Sequence, residues 1–270
     1  MLKDSIDTIE RLTVICFSPT RTSRKITEAV AAGMTAARIR TIDLTLDRSD
    51  SPITVGAGET VVLGAPVYAG RVAPEAVRRL QRIKAATGAV IPTVVTVTYG
   101  NRDYEDALVE LYDLAVSLGL SPFAAGAFIG EHSYSTPEMP VAEGRPDSMD
   151  IADARIFGGQ CRQKLDGPGA FAPFSIKGNR PYKDVKRSPN PAAPVTADGC
   201  PLCGECARVC PTGAVSIDTS AGKVLTEPAL CIRCCACVKV CPTGMRTYST
   251  PITAFLYENC SSRRNPETFL

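Results

Sequence analysis

Eight cysteines between positions 200 and 241 constrain this chain more than any other feature of it. They fall in two runs of one pattern, Cys200-x2-Cys203-x2-Cys206-x3-Cys210-Pro211 and Cys231-x2-Cys234-x2-Cys237-x3-Cys241-Pro242. The second run repeats the first at an offset of 31 residues, and both close on Val-Cys-Pro-Thr-Gly. Three thiolates this close can hold three irons of a cubic [4Fe–4S] core, and the fourth iron then needs a thiolate from a distance. Structural zinc is the competing reading, because paired CxxC motifs bind it. Zinc motifs usually part their pairs by a long loop, which two tight runs of four ending in Cys-Pro do not do. A stretch of about 55 residues has little apolar core of its own, so a bound metal centre must supply much of its stability.

This stretch resembles a two-[4Fe–4S] bacterial ferredoxin. The resemblance implies crossed ligation, in which the fourth cysteine of each run serves the other cluster. Cluster I is then expected on Cys200, Cys203, Cys206 and Cys241, and cluster II on Cys210, Cys231, Cys234 and Cys237. Cys235 breaks the x2 spacing and reads as a bystander able to tune cluster II. Cys260 lies far from both runs and is expected to bind nothing.

The chain of 270 residues suggests two domains. No apolar run approaches the length of a membrane helix, and Met1-Leu2-Lys3-Asp4 opens no signal-peptide core, so a cytoplasmic protein is expected. Twelve cysteines in such a chain read as metal ligands in a reducing compartment. The formal charge of +2 is too mild for a nucleic-acid partner. Eight ligating thiolates would outweigh two cationic cores and turn it mildly negative.

The first 165 residues alternate strand and helix patterns. Strands are expected at 12–17, 39–44, 60–65 (stopped by Pro66), 89–98 (starting late because of Pro92) and 124–129. Helices are expected after position 22, over 74–83, around 108–118, and more weakly over 148–165, with a break at Gly158-Gly159. The pattern predicts an α/β fold: a doubly wound, five-stranded parallel sheet with helices on both faces, followed by a small α+β two-cluster domain. In such sheets ligands sit at the carboxyl ends of the strands, at the switch point.

Three loops fall there. Ser18, Pro19, Thr20, Arg21, Thr22 and Ser23 offer hydroxyls and amides at a helix N-terminus, which suits a phosphate and equally an ordinary N-cap. Pro66, Val67, Tyr68, Ala69 and Gly70 form the second loop, and Tyr99, Gly100, Asn101, Arg102 and Tyr104 the third. The second and third loops each carry a tyrosine that could stack on a planar cofactor, although a single such tyrosine is more often a half-buried anchor. With these loops the region resembles a flavodoxin. The resemblance implies FMN, its phosphate on Ser18, Thr20, Thr22 and Ser23, Tyr68 over one ring face and Tyr104 over the other. Arg21 stands where that family usually has glycine. It costs about 1 kcal/mol if φ is positive there, or its guanidinium pairs with the phosphate. Gly70 sits where a peptide flip could turn a carbonyl toward the flavin. The Glu131-His132-Ser133-Tyr134-Ser135 stretch, with the only histidine, could reach the flavin edge or the cluster domain, but His132 reads first as a satisfied surface or interface residue, and Cys16 as a small core hydrophobe.

Residues 166–197 form a linker with six prolines and the cations Lys177, Arg180, Lys183, Lys186 and Arg187. It reads as a basic strap for an acidic partner or for the cluster domain, or else as a solvated tether. The expected order is 1–165 flavin domain, 166–197 linker, 198–250 cluster domain and 251–270 tail, and the whole resembles the flavodoxin–ferredoxin fusion proteins of anaerobes. Such a chain is expected to pass electrons between FMN and two [4Fe–4S] clusters and to meet redox partner proteins. A homodimer is compatible with this. One alternative is an FMN and iron–sulfur oxidoreductase in which Arg71, Arg102 and His132 handle a small organic acceptor. Another is a ferredoxin whose first domain has lost FMN.

Overall fold

The computed structural model describes residues 9–185 and 192–270; Met1 to Asp4, Lys186, Arg187, Pro189 and Pro191, named above, lie outside them. Five parallel strands form the first unit: β1 (Ile9–Cys16), β2 (Ala36–Asp43), β3 (Glu59–Tyr68), β4 (Pro92–Tyr99) and β5 (Ser121–Ile129). Their order in the sheet is β2-β1-β3-β4-β5, the doubly wound order whose switch point lies between β1 and β3. β3 and β4 are buried almost throughout, as strands covered on both faces must be. β2 is the edge and exposes Arg38 and Arg40, charges that discourage pairing with another sheet.

The helices are α1 (Thr22–Gly33), α2 (Pro74–Leu80), α3 (Ala107–Ser117) and α4 (Ser148–Asp166). Ile26 and Val30 of α1 and Ala154 and Phe157 of α4 cover one face with Val14, Val62 and Val94. Ala76 and Leu80 of α2 and Leu108 and Leu111 of α3 cover the other. α4 runs without the break expected at Gly158-Gly159. Gly158 is there for contact: a Cβ on it would lie 2.1 Å from the Val30 carbonyl oxygen, and one on Gly33 would lie 2.0 Å from that of Arg155. The two glycines let α1 and α4 cross backbone to backbone, which local propensity cannot reveal. Nor does Pro66 end β3. The chain continues to Tyr68 and pairs back on Arg71–Val72 through a turn in which Ala69 and Gly70 both have positive φ. A primed hairpin takes over where proline leaves the parallel ladder without a donor.

From residue 166 to 185 the linker packs on the first unit, mainly at α3 and the turn before it, and its last residues, Val195–Thr196, pair with the cluster region. Arg180 pairs with Asp113 at 2.6 Å and Lys183 with Glu105 at 2.5 Å, and Asp106 accepts from the amides of Asn179 and Lys183. Phe171 meets Phe123 edge-on, and Phe174 meets Tyr112. The exposed ion pairs add little each, whereas the buried carboxylate–amide bonds fix the path. The tail also returns to the first unit. It forms a helix, Ile252–Cys260, and an edge strand, Glu267–Phe269, antiparallel to β5.

In the cluster region, short helices Glu205–Arg208 and Ala236–Lys239 accompany the hairpin Val215–Asp218 with Lys223–Thr226 and the pair Val195–Thr196 with Arg246–Thr247. The repeat survives in the backbone. Leu202 and Arg233 have φ 55 and 57, and Gly204 and Cys235 have φ 81 and 55.

The helix crossing yields a paired test. Gly158→Ala should destabilise the chain by about 1–3 kcal/mol through overpacking. Gly159→Ala, whose Cβ would meet only the Gly33 oxygen at 3.9 Å, should be neutral or stabilising by up to about 1 kcal/mol. Denaturant melts of both variants decide it.

Candidate redox site at the carboxyl ends of the strands

The two cysteine runs interleave. Cys241 of the second run lines one cavity with Cys200, Cys203 and Cys206 of the first. Cys210 of the first run lies beside Cys231, Cys234 and Cys237 of the second: burial pushes the Cys234 thiol up to about 12, and Cys237, Cys210 and Cys231 push in the same direction. Sulfurs crowded in this way reach the thiolate form only with a cationic centre among them. Cys203 is exposed, whereas Cys206, Cys210, Cys234 and Cys237 are buried, so the first set opens outward and the second faces inward. Cys235 is buried as well and donates weakly to the Arg233 carbonyl at 3.7 Å.

The second set is seated on the sheet. Ile232 packs into the hydrophobic core beside Tyr68. Burial, then the neighbouring Cys234 and Cys235, push the Tyr68 phenol up. Tyr134 stacks on Tyr248 at 5.0 Å and on His132 at 5.1 Å, and Lys239 bonds Glu131 and the Ser135 carbonyl. On the far side, Arg48 donates to the carbonyls of Cys210 at 2.7 Å and Pro211 at 3.2 Å. The fully buried Arg79 reaches Pro211 at 2.7 Å while it holds Glu75 and the Leu44 and Thr45 carbonyls. No sequence pattern pointed to Arg48, Arg79 or Lys239, because each acts across more than 100 residues.

Of the three loops, the first suits an anion. Arg21 adopts φ 64 as N-cap of α1 with no side-chain cap, so its backbone takes the left-handed turn that favours glycine, and its amide donates to the Ser18 carbonyl at 3.0 Å. Ser23 Oγ is buried without a partner, and Thr20 and Thr22 share a bond of 3.3 Å. A Cβ on Gly130 would lie 2.8 Å from Thr22 and 3.0 Å from Thr98, which marks how tightly β5's exit fits this turn. Ser18 is committed elsewhere: its Oγ accepts from the Arg24 amide and its own amide donates to Thr45.

The second loop fits in part. Tyr68 is half-buried at the rim with Pro66 and Val67 behind it. The Gly70 carbonyl accepts from the Asp106 amide at 3.0 Å and is therefore held by the third loop, against the expected flip toward a flavin. The third loop does not fit its expected role. Tyr104 is fully buried, donates to Glu267 at 2.7 Å and packs on Tyr99 at 5.4 Å. Asn101 donates to the tail carbonyls of Cys260 and Ser262, and Arg264 donates to the Arg102 carbonyl. Gly100 is pressed on His132, where a Cβ would stand 2.3 Å from the imidazole. The tail claims this loop, so its tyrosine covers no cofactor face.

His132 accepts from the Tyr134 amide at 3.0 Å. Burial, then Arg102 and Lys239, push its pKa down to about 4. The neutral imidazole therefore adds stability above pH 6.5 that is lost as the pH falls toward 4. As the only histidine in the chain, it should show one imidazole proton resonance that stays neutral down to pH 5. A midpoint near 6.5 would contradict the enclosure.

No curated protein matches the chain. Residues 199–245 match the 4Fe-4S dicluster domain family. Among solved structures, an archaeal flavodoxin overlays with TM-score 0.35 at 10% identity, covering 58% of this chain and 99% of that one. Flavodoxin 1 from Bacillus cereus gives 0.35 at 14%, covering 56% and 96%. The Fusobacterium nucleatum flavodoxin, solved with flavin mononucleotide, gives 0.37 at 11%, covering 57% and 98%. At these scores the strand order, not the overlay, carries the fold. No helix among the described residues is long and apolar enough to cross a membrane. By sheet order the first unit has a flavodoxin-like fold, and residues 199–245 are similar to the 4Fe-4S dicluster domain family.

Proposed function

We propose that this chain is an electron-transfer protein joining two [4Fe–4S] clusters to an FMN at the carboxyl end of its sheet. The observation that carries the reading is the seat of the inner cysteine set: Ile232, between Cys231 and Cys234, packs against the same core as Tyr68 at the rim of the crevice, and after burial the neighbouring Cys234, Cys235 and Cys231 push the Tyr68 phenol up. Cys200, Cys203, Cys206 and Cys241 would hold cluster I, and Cys210, Cys231, Cys234 and Cys237 cluster II. The exposed Cys203 sets cluster I toward an external redox protein, and cluster II then stands between it and the sheet.

FMN, when bound, supplies a centre able to exchange electrons singly or in pairs. The chain's own residues do the rest. The turn from Thr20 to Ser23 offers the N-terminus of α1, the Ser23 hydroxyl and the Arg21 guanidinium to a phosphate. Tyr68 offers an aromatic face. Ile232 and the cysteine loop exclude water from the inner side. Arg71 is held by Glu110 at 2.8 Å, Arg102 by Glu105 at 2.6 Å, and His132 is neutral, so the three groups proposed for handling a small organic acceptor are already engaged.

One observation favours a second reading, a ferredoxin whose first domain serves only for docking: the tail seals the third loop. Anaerobic purification with assay of flavin, iron and sulfide separates the two. One flavin per chain with the iron and sulfide of two cubes is the expected result. Both cubes without flavin, not restored by added FMN, would leave the docking reading.

A further inference from the structure

Superposing the two cysteine runs at their offset of 31 residues sets Arg246 opposite Val215. Val215 behaves as the repeat requires and packs in the small core with Cys206 and Cys210. Arg246 occupies the equivalent place with a charge. It is 2% exposed, and it lines the cavity of Cys200, Cys203, Cys206 and Cys241. Its Nη1 donates to Thr196 at 2.8 Å and its Nη2 to Thr226 at 2.7 Å. Its Nε is buried with no partner.

Both acceptors are neutral hydroxyls, and among the described residues no carboxylate pairs with this guanidinium. A buried cation without an anion is strongly unfavourable, and so is a buried N–H without an acceptor. The anion that answers both is the cage the side chain faces.

We propose that Arg246 is the built-in counter-ion of cluster I: its charge, and its Nε–H donating to a ligand sulfur, hold that cluster at a higher reduction potential than the repeat's valine would. Net charge and hydrogen bonds to sulfur are the levers that set such potentials. The outward cluster is thereby made the favoured first acceptor for an electron from outside. The inference rests on the reading that the eight cysteines carry two clusters.

The test uses the anaerobically purified, cluster-loaded full chain, with iron and sulfide assayed first. Potentiometric titration with dithionite and mediators, followed by EPR, gives the midpoint of each cluster. Arg246→Met should lower one midpoint by at least 59 mV, a tenfold change in the oxidised-to-reduced ratio for a one-electron couple, and lower the other by distinctly less. Thr226→Val removes a neutral acceptor and should weaken the fold without moving either midpoint. Should Arg246→Met fail to assemble, Arg246→Lys decides. Labelling with 15N-arginine should show a nitrogen coupled to the reduced cluster by ENDOR, lost in Arg246→Lys together with part of the potential. Full iron and sulfide with unchanged midpoints and no arginine coupling would overturn the inference, whereas absent iron would overturn the cluster reading beneath it.

Discussion

One guanidinium joins the two halves of this molecule. Arg79 has no exposed surface, yet it reaches Glu75 on its own helix, the Leu44 and Thr45 carbonyls where β2 ends, and the Pro211 carbonyl beside Cys210. Phe17, at the end of β1, lies under it at 5.2 Å. A buried arginine is tolerable only when its donors are satisfied by geometry of this quality. Removing the cluster loop would leave Nη2 with Glu75 as its one acceptor. The docking of the inner cysteine set on the sheet is thus coupled to the core itself, and Arg48, on the same carbonyls, extends the clamp toward solvent.

From that clamp the rest of the site follows in space. The cluster loop crosses the carboxyl end of the sheet from Arg48 to Tyr68 and on to Glu131 and Ser135. Ile232 enters the core beneath it. The tail closes the remaining side by adding a strand to β5 and by taking Asn101 and Tyr104 as its anchors. Arg263 grips Asp147 at the start of α4. One end of the sheet is thereby enclosed by three segments that are distant in sequence, while at the N-terminus of α1 the Ser23 hydroxyl stays unshared.

The sheet and its doubly wound order were legible because β-branched runs, their spacing and the helical periods between them are local signals. The cysteine runs were legible because ligand spacing is chemistry carried by a few adjacent residues. The errors share a cause: each depends on a contact with a remote segment. Gly158 looked like a helix breaker, and only α1 shows why it is glycine. Tyr104 looked like a ring cover, and only Glu267, 163 residues away, shows that it is an anchor. The basic linker looked like a strap for something else, and only the acids of α3 show what it binds. Arg246 carried a readable signal after all, since the repeat itself marks it as the charged partner of Val215.

Everything in this account turns on the inner cluster sharing one site with the carboxyl end of the sheet. Iron-edge anomalous diffraction from crystals of the cluster-loaded chain would test it without reference to activity. The account predicts two iron centres, the inner one enclosed by Cys210, Cys231, Cys234 and Cys237, beside Tyr68 and behind the Arg79 contact to Pro211. A single metal site, or an inner centre turned away from the sheet with Tyr68 open to solvent, would contradict it.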